Sequence, residues 1–256
     1  MKKASDLMIK IPEEVPVLQL NDNITKARKY FREYFFTELY VVDEKNTLYG
    51  YIDITDVLRI TDTKSNVTIE GFMKEAPTVA PEDTLETVAL TIQNATTGSV
   101  AVLGENREIV GAILLSELFP LLINRHELRG KVRDYMTTDV VTCAPEDTVQ
   151  KIYTLIVDSD LTAFPVERKK SLLGIISRSD LVKNGRIRSS LGNAAKMTVQ
   201  SIMTTPAFSI SPEEEVAVAA EKLVKHDISR LPVIENEAII GIIDRHDVLK
   251  SLILQG

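Results

Sequence analysis

GIISRSD (residues 174–180) and GIIDRHD (residues 241–247) spell nearly the same apolar run, turn and helix start, and differ mainly where Ser177 gives way to Asp244. Their flanks align as well. Val132/Val199, Met136/Met203, Thr137/Thr204, Pro145/Pro212, Pro165/Pro232, Gly174/Gly241 and Asp180/Asp247 each lie 67 positions apart, with no gap between them. Landmarks held in one register over this length imply two copies of a single structural unit. Weaker copies precede them. Met73, Pro81 and Gly111 mark the second, with MKEAPTVAPEDTLETVALTI and REIVGAILLSEL, and Met8 and Gly50 flank a more divergent first copy ending LYGYIDITDVL. The four copies fall at about 7–58, 69–119, 132–182 and 199–250, and little chain remains outside them.

The fourth copy is the most legible. Ser211 suits an N-cap, Pro212 the first helical position and Glu214 the far side of a capping box, so a helix is expected to begin there. Val216, Ala219, Ala220, Leu223 and Val224 then recur at the spacing of a helix packed on one face, and Val149, Ile152, Tyr153, Ile156 and Val157 repeat that stripe in the third copy. RLPVI and AIIGII, separated by ENE, read as an antiparallel hairpin, after which DRHDVLKSLIL resumes helical spacing. Each copy is thus strand, helix, strand, strand, helix, an α+β sandwich. A unit this small buries too little of its surface to stand alone, and pairing is the expected remedy.

The bulk properties agree. At 256 residues two compact units are expected, divided as 1–125 and 126–256, and 44% hydrophobic with 26% charged residues fits an ordinary globular chain. A net charge of -7 disfavours a general nucleic-acid binder, because phosphate neutralisation needs a positive surface. Residues 183–198, KNGRIRSSLGNAAKMT, carry four basic residues and no acidic one, and read as a solvated linker. The single cysteine, Cys143, excludes an internal disulfide or a multi-thiolate metal site and fits a reducing cytoplasmic home. The most apolar stretch, residues 111–123, is broken by Glu117 and Pro120 and is too short to span a bilayer, and MKKASDLMIK lacks the apolar centre of a secretory signal.

The Met-Thr pair, SPEEEVAVAAEKLVKHDISRLPVIENEAIIGIIDRHDVL and its copies resemble the cystathionine beta-synthase (CBS) domain. The resemblance is strong in copies three and four, good in copy two and loose in copy one. It implies tandem pairs, called Bateman modules, in which two sheets meet about a pseudo-two-fold axis, and hence four CBS repeats in two modules. It also implies ligand clefts between paired repeats that take adenine nucleotides (AMP, ADP or ATP) or S-adenosylmethionine-like ligands. Four-repeat chains are similar to the gamma subunit of AMP-activated protein kinase, whose two modules form a disc. Here a disc could form within one chain or between two stacked chains, a homodimer.

The family motif Gly-h-x-Ser/Thr-x-x-Asp, with h apolar, contacts ribose through its Asp and phosphate or sugar through its hydroxyl. Copy three matches it with Gly174, Ser177 and Asp180. A carboxylate can accept from both ribose hydroxyls, and free amides at a helix N-terminus attract phosphate. The same Ser-x-x-Asp spacing is that of a capping box, so both residues can equally serve only the helix. The resemblance places His226, Ser229 and Arg230 opposite Ser177 and Asp180, with Arg230 the better phosphate ligand because its guanidinium stays charged and bidentate. His226, at a helix end, is equally explained by capping. The mirror cleft offers Asp244 and Asp247 with Ala163 at the position of Arg230, two carboxylates without a matching cation, which disfavours phosphate and favours a neutral nucleoside or a cationic sulfonium. Copy one repeats the acidic version with Asp53 and Asp56, and copy two has Leu114 and Glu117 there, an altered or empty site. Family position further suggests Thr137, Thr138, Asp139 and Val140 for adenine in one cleft and Thr204, Thr205, Pro206 and Ala207 in its mate, positions that strand-entry packing also explains.

No activated nucleophile, Walker loop or HExxH motif is present and the three histidines, His126, His226 and His246, are scattered, so an enzyme is not expected and no cofactor is required. The acidic pairs admit a divalent metal, with helix capping the simpler explanation. Two functions remain open. One is a stand-alone regulatory sensor whose adenosyl ligand shifts the paired repeats and signals to a separate effector protein. The other is an interaction scaffold with vestigial clefts.

Overall fold

Apolar stripes and short β-rich runs settle into one element order four times. The computed structural model describes residues 2–11, 13–34, 36–60, 66–159, 161–183 and 197–252. After β1 (Ile9–Lys10), the first repeat runs β2 (Leu18–Gln19), α1 (Ile24–Glu33), β3 (Glu38–Val42), β4 (Leu48–Asp53) and α2 (Ile54–Arg59). The second runs β5 (Thr78–Val79), α3 (Leu85–Ala95), β6 (Ser99–Leu103), β7 (Ile109–Leu114) and α4 (Leu115–Ile123). Following the short α5 (Val132–Tyr135), the third has α6 (Val149–Ser159), β8 (Ala163–Arg168), β9 (Ser171–Ser177) and α7 (Arg178–Lys183). The fourth has α8 (Val216–Lys225), β10 (Arg230–Glu235), β11 (Ala238–Asp244) and α9 (Arg245–Leu249). In these last two repeats the entry strand shrinks to one parallel bridge, Cys143 to Val166 and Ile210 to Val233. Most of the expected linker, residues 184–196, lies outside the described residues.

The chain divides into two compact units, Met1–Asp56 with Ser65–Leu128 and Leu252–Gly256, and Val57–Lys64 with Arg129–Ser251. Within each unit the hairpins are marked alike. All four shift register at one place, between Val41 and Val42, Val102 and Leu103, Val166 and Glu167, and Val233 and Ile234. The valine before each bulge pairs with a glycine: Gly50, Gly111, Gly174 or Gly241.

Those glycines admit the backbone of the paired repeat. A Cβ on Gly174 would lie 2.6 Å from the Thr204 carbonyl oxygen, and one on Gly241 would lie 2.6 Å from Met136 Sδ and 3.1 Å from the Thr137 carbonyl oxygen. The third repeat receives the Met-Thr segment of the fourth, and the fourth receives that of the third. Thr204 and Ile175 exchange amide-to-carbonyl hydrogen bonds at 2.9 and 3.0 Å, and Thr137 and Ile242 do so at 2.9 Å in both directions. In the first unit Lys74 pairs with Tyr51 in the same way, at 2.8 and 2.9 Å, and β1 pairs with β7. The reciprocal exchange is the pseudo-two-fold pairing the size of the repeat demanded, and it pairs outer backbone groups of each hairpin beside its glycine.

Helix stripes close the cores. Val216, Ala219, Ala220 and Leu223 are fully buried on α8, as are Val149, Ile152 and Ile156 on α6, while Val224, Tyr153 and Val157 reach only half-burial. Each fully buried valine, leucine or isoleucine side chain contributes roughly 1.5–3 kcal/mol. The helix expected at Ser211–Glu214 starts later, at Val216. Glu215 is drawn into an extended bridge with Lys131, and the Val216 amide donates to the Gly130 carbonyl at 2.9 Å, so the Ser211 box closes a turn instead. There the Ser211 amide donates to Glu214 at 3.1 Å, as Gln19 does to Asp22, Ala80 to Asp83 and Ala144 to Asp147. The turn is thus a further fourfold mark.

Candidate functional site

In every repeat the second hairpin strand runs directly into the last helix, so the residues at that junction sit beside the exchanged segment of the partner repeat. In the third repeat Ser177 and Asp180 are spent largely on each other. The Ser177 amide and hydroxyl donate to Asp180 Oδ2 at 2.8 and 2.7 Å, and the Asp180 amide donates back to Ser177 Oγ at 3.4 Å. Both are half-buried. Gly174 is buried with its open side filled by Thr204 and Met203, so the close approach it permits is that of neighbouring backbone.

The fourth repeat forms the box from two carboxylates, the Asp244 amide donating to Asp247 Oδ2 at 3.1 Å and the Asp247 amide to Asp244 Oδ1 at 3.0 Å. Burial first, and the Asp244 charge second, push the Asp247 carboxyl up from its ordinary range. The pair is not without cations, contrary to the expectation from Ala163. Lys250 Nζ is 2.8 Å from Asp247 Oδ1, and Arg230 stands directly across the hairpin from Asp244.

Arg230 has a second reach. Its Nη1 donates to Thr162 Oγ1 in the third repeat at 2.6 Å, and the Thr162 carbonyl takes the Arg178 amide at 3.0 Å, next to Ser177. Its charged surroundings are Asp244, Arg178 and Asp247, so its acid partners come from its own repeat and not from the Ser177–Asp180 box. Burial presses the guanidinium below its ordinary value and Asp244 opposes that, but an arginine stays charged near neutrality.

His226 caps the end of α8, donating its amide to the Lys222 carbonyl at 3.1 Å, and its ring stacks on exposed Phe208 at 3.7 Å between centroids. Ser229 is exposed and its carbonyl accepts from the Arg245 amide at 3.3 Å. The exchange assigns the suggested adenine segments to sides. Thr137 pairs antiparallel with Ile242, so the segment continuing into exposed Thr138 and Asp139 and half-buried Val140 leaves in the direction away from the Asp244 junction. Thr204 pairs antiparallel with Ile175 and Thr205 Oγ1 donates to the Leu173 carbonyl at 2.9 Å, so the segment continuing into exposed Pro206 and half-buried Ala207 leaves in the direction away from Ser177.

In the first unit Asp53 and Asp56 form the same reciprocal box, at 2.9 and 3.1 Å, with Asp56 only 1% exposed. Their countercharge is Lys74 of the second repeat, whose Nζ is 3.0 Å from Asp53 Oδ2 and 3.0 Å from Asp56 Oδ2. Leu114 makes no side-chain cap to α4. Lys74, Thr162 and Arg178 were missed as site residues, as was Glu38. Lys74 was visible in principle, because it occupies the place of Thr137 and Thr204 in the aligned copies. A separate surface hollow of about 460 Å3, lined by Gln19, Leu20, Asn21, Asp43 and Glu44, contains none of the expected residues. Among the described residues no group of three or more His, Cys, Asp or Glu is placed to hold a metal, and no helix is long and apolar enough to cross a membrane.

Four hairpin-and-helix repeats exchanging segments in pairs, three of them ending in a helix with a carboxylate in its capping box, define a paired-repeat module protein. The family model described as CBS domain matches residues 4–62, 69–124, 132–186 and 199–254, so the chain belongs to the CBS domain family and carries four CBS repeats in two Bateman modules. Among curated relatives, the CBS domain-containing protein YhcV of Bacillus subtilis is 27% identical over 119 residues, 46% of this chain and 83% of that protein. MJ1225 of Methanocaldococcus jannaschii is 24% identical over 162 residues, 60% of this chain and 58% of that protein. The crystal structure of MJ1225 superposes with a TM-score of 0.79 at 19% identity, covering 94% of this chain and 99% of that one. A conserved Pyrococcus horikoshii protein superposes at 0.66 and 21% identity, covering 97% and 98%. Both establish the fold.

Proposed function

We propose that the protein is a regulatory sensor that binds a phosphate-bearing adenosyl ligand, such as AMP, ADP or ATP, in the cleft between its third and fourth repeats and signals to a separate effector protein. The observation that carries this reading is Arg230, a cation reaching from its own hairpin to Thr162 at the base of the Ser177 junction. A phosphate at that point would meet Arg230 and Arg178, while Asp180 faces the ribose. The residues we assign to the two clefts of this module are Gly174, Ser177, Asp180, Thr205, Ala207, Ser229 and Arg230 on one side and Thr138, Val140, Asp244 and Asp247 on the other. Residues 1–125 and 126–256 are taken as the two modules. Occupancy favours whichever arrangement of the repeats holds the ligand better and passes that preference to the effector. A cytoplasmic setting suits the lone buried thiol of Cys143.

The scaffold reading draws on one observation: Ser177 and Asp180 satisfy each other without a ligand. Thermal shift with AMP, ADP, ATP, S-adenosylmethionine and methylthioadenosine separates the two, since a ligand at one hundred times its dissociation constant adds about 2.7 kcal/mol. Arg230→Ala is expected to weaken AMP binding by about 10- to 100-fold, the worth of a hydrogen bond to a charged group. No shift with any of the five compounds sinks the sensor.

A further inference from the structure

The first residue of the first hairpin strand is Glu38, Ser99, Ala163 or Arg230 in the four repeats, and it lies across its hairpin from Asp53, Leu114, Ser177 or Asp244. These positions are equivalent, and each module has one charged and one uncharged member. The charged side chain reaches the other repeat at or beside its own counterpart. Glu38, 8% exposed, accepts from the Gly98 amide at 2.9 Å and the Ser99 hydroxyl at 3.0 Å. Ser99 also shares a 2.8 Å hydrogen bond with buried Tyr40, so the uncharged mate is itself held in place. Arg230 donates to Thr162, the residue before Ala163, at 2.6 Å. Glu38 thus meets neutral donors, and Arg230 meets a neutral acceptor beside an alanine.

We infer that Glu38 and Arg230 decide which repeats pair: a repeat charged at this position rejects a mate of the same sign, so the first repeat cannot pair with the first repeat of a second copy, nor the fourth with a fourth. A self-paired repeat sets the same residue on both sides of the axis. Two Glu38 carboxylates would then meet where Glu38 and Ser99 now stand 3.0 Å apart, the hydroxyl donor would be gone, and the two could not both stay ionised. Two Arg230 side chains would meet in the same way, with no acceptor between them. Opposed like charges are the repulsive element by which an interface refuses a wrong partner. Ser99 and Ala163 impose no such refusal, so one charged repeat per module suffices. Pairing choice of this kind does not depend on ligand binding.

The test uses two full-length variants with like charges in the first module: Ser99→Glu, which leaves carboxylates at both positions, and Glu38→Lys with Ser99→Lys, which puts ammonium groups at both. Each is refolded from urea alone and in equimolar mixture, and is followed by urea unfolding and sedimentation velocity. Alone, each is expected to unfold at lower urea than Glu38→Gln with Ser99→Gln, a neutral pair of similar size. Mixed, they are expected to form a one-to-one dimer, whose crossings set a carboxylate against an ammonium. Variants that alone match the neutral pair overturn the inference. A mixture without dimer also overturns it, because the charges would then govern stability and not choice. Where neither variant refolds, Ala163→Arg is compared with Ala163→Met in the second module. A lower midpoint for the arginine variant, beside Arg230, supports the inference, and equal midpoints overturn it.

Discussion

Glu38 and Arg230 open equivalent hairpin strands, cross equivalent boundaries to a partner repeat and carry opposite charge, while the glycine a few residues along each opposing strand meets the same kind of neighbour in both modules. The contrast separates two kinds of constraint. Strand exchange is a backbone transaction that fails if one Cβ intrudes, so it is repeated four times with the same valine, bulge and glycine. The junction residues act through side chains. There the protein uses Ser177–Asp180, Asp244–Asp247, Asp53–Asp56 with Lys74, or Leu114 with no cap, on the same turn of backbone.

The largest expected effect strikes the shared half of that contrast. Gly50→Ala would place a Cβ 2.4 Å from the Lys74 carbonyl oxygen, and Gly174→Ala one 2.6 Å from that of Thr204. Backbone oxygens tied into reciprocal hydrogen bonds cannot retreat cheaply, and overpacking of this kind costs roughly 1–3 kcal/mol. Gly241→Ala is expected to cost less, because its nearest neighbour is Met136 Sδ, the end of a flexible side chain. Urea unfolding of the three variants checks the order. Equal losses at Gly174 and Gly241 would mean that the glycines serve their own strands and not the exchange.

The shared half was also the legible half. A gapless 67-residue register, helix stripes at positions such as Val216 and Leu223, and the ENE turn sufficed for the element order and the pairing. The turn itself places Asn236 and Glu237 at φ of 50° and 66°, matching Lys169 and Lys170 at 53° and 71°. Residue identity hides this equivalence. What sequence could not supply was which segment faces which junction. Arg230 was expected opposite Ser177 and Asp180, yet in-register pairing puts it against Asp244 while its side chain still reaches Thr162. Lys74 is 21 residues from Asp53, and only strand exchange makes them neighbours.

A smaller effect concerns the two acidic junctions. Burial is the leading cause that raises both Asp56 and Asp247 above the ordinary aspartate range. A raised carboxyl favours folding in its neutral form, so its contribution is full below the unfolded value and lost as pH rises through the folded one. Asp56→Asn and Asp247→Asn should therefore each flatten the fall in stability between acid and neutral pH. Lys74 separates the modules at the other end. Its pKa is raised by Asp53 and Asp56 against the pull of burial, so its contribution persists through neutrality and is lost only as pH rises above the ordinary lysine value. Melting temperatures measured across pH for wild type, Asp56→Asn and Lys74→Met test both signs. An alkaline decline unchanged in Lys74→Met would remove Lys74 from the account.

The smallest expected effect, a reaction that does not occur, reads the second module by itself. Cys143 holds the entry bridge of the third repeat, as Ile210 does in the fourth, and is 4% exposed. Burial, reinforced by the Asp147 charge, pushes its thiol up to about 12, so at pH 8 the folded protein presents almost no thiolate to an alkylating reagent. Iodoacetamide labelling should begin only where the second unit opens, because the sulfur is covered by the hairpin against which Cys143 pairs. Gly174→Ala, which strikes that unit, should bring labelling to lower urea, whereas Gly50→Ala should leave it in place even though it strains the first unit more. If both variants advance labelling together, the modules unfold as one body and the contrast between them does not extend to stability. Labelling of the native wild type at the rate of a free thiol would mean that the entry bridge is open in solution.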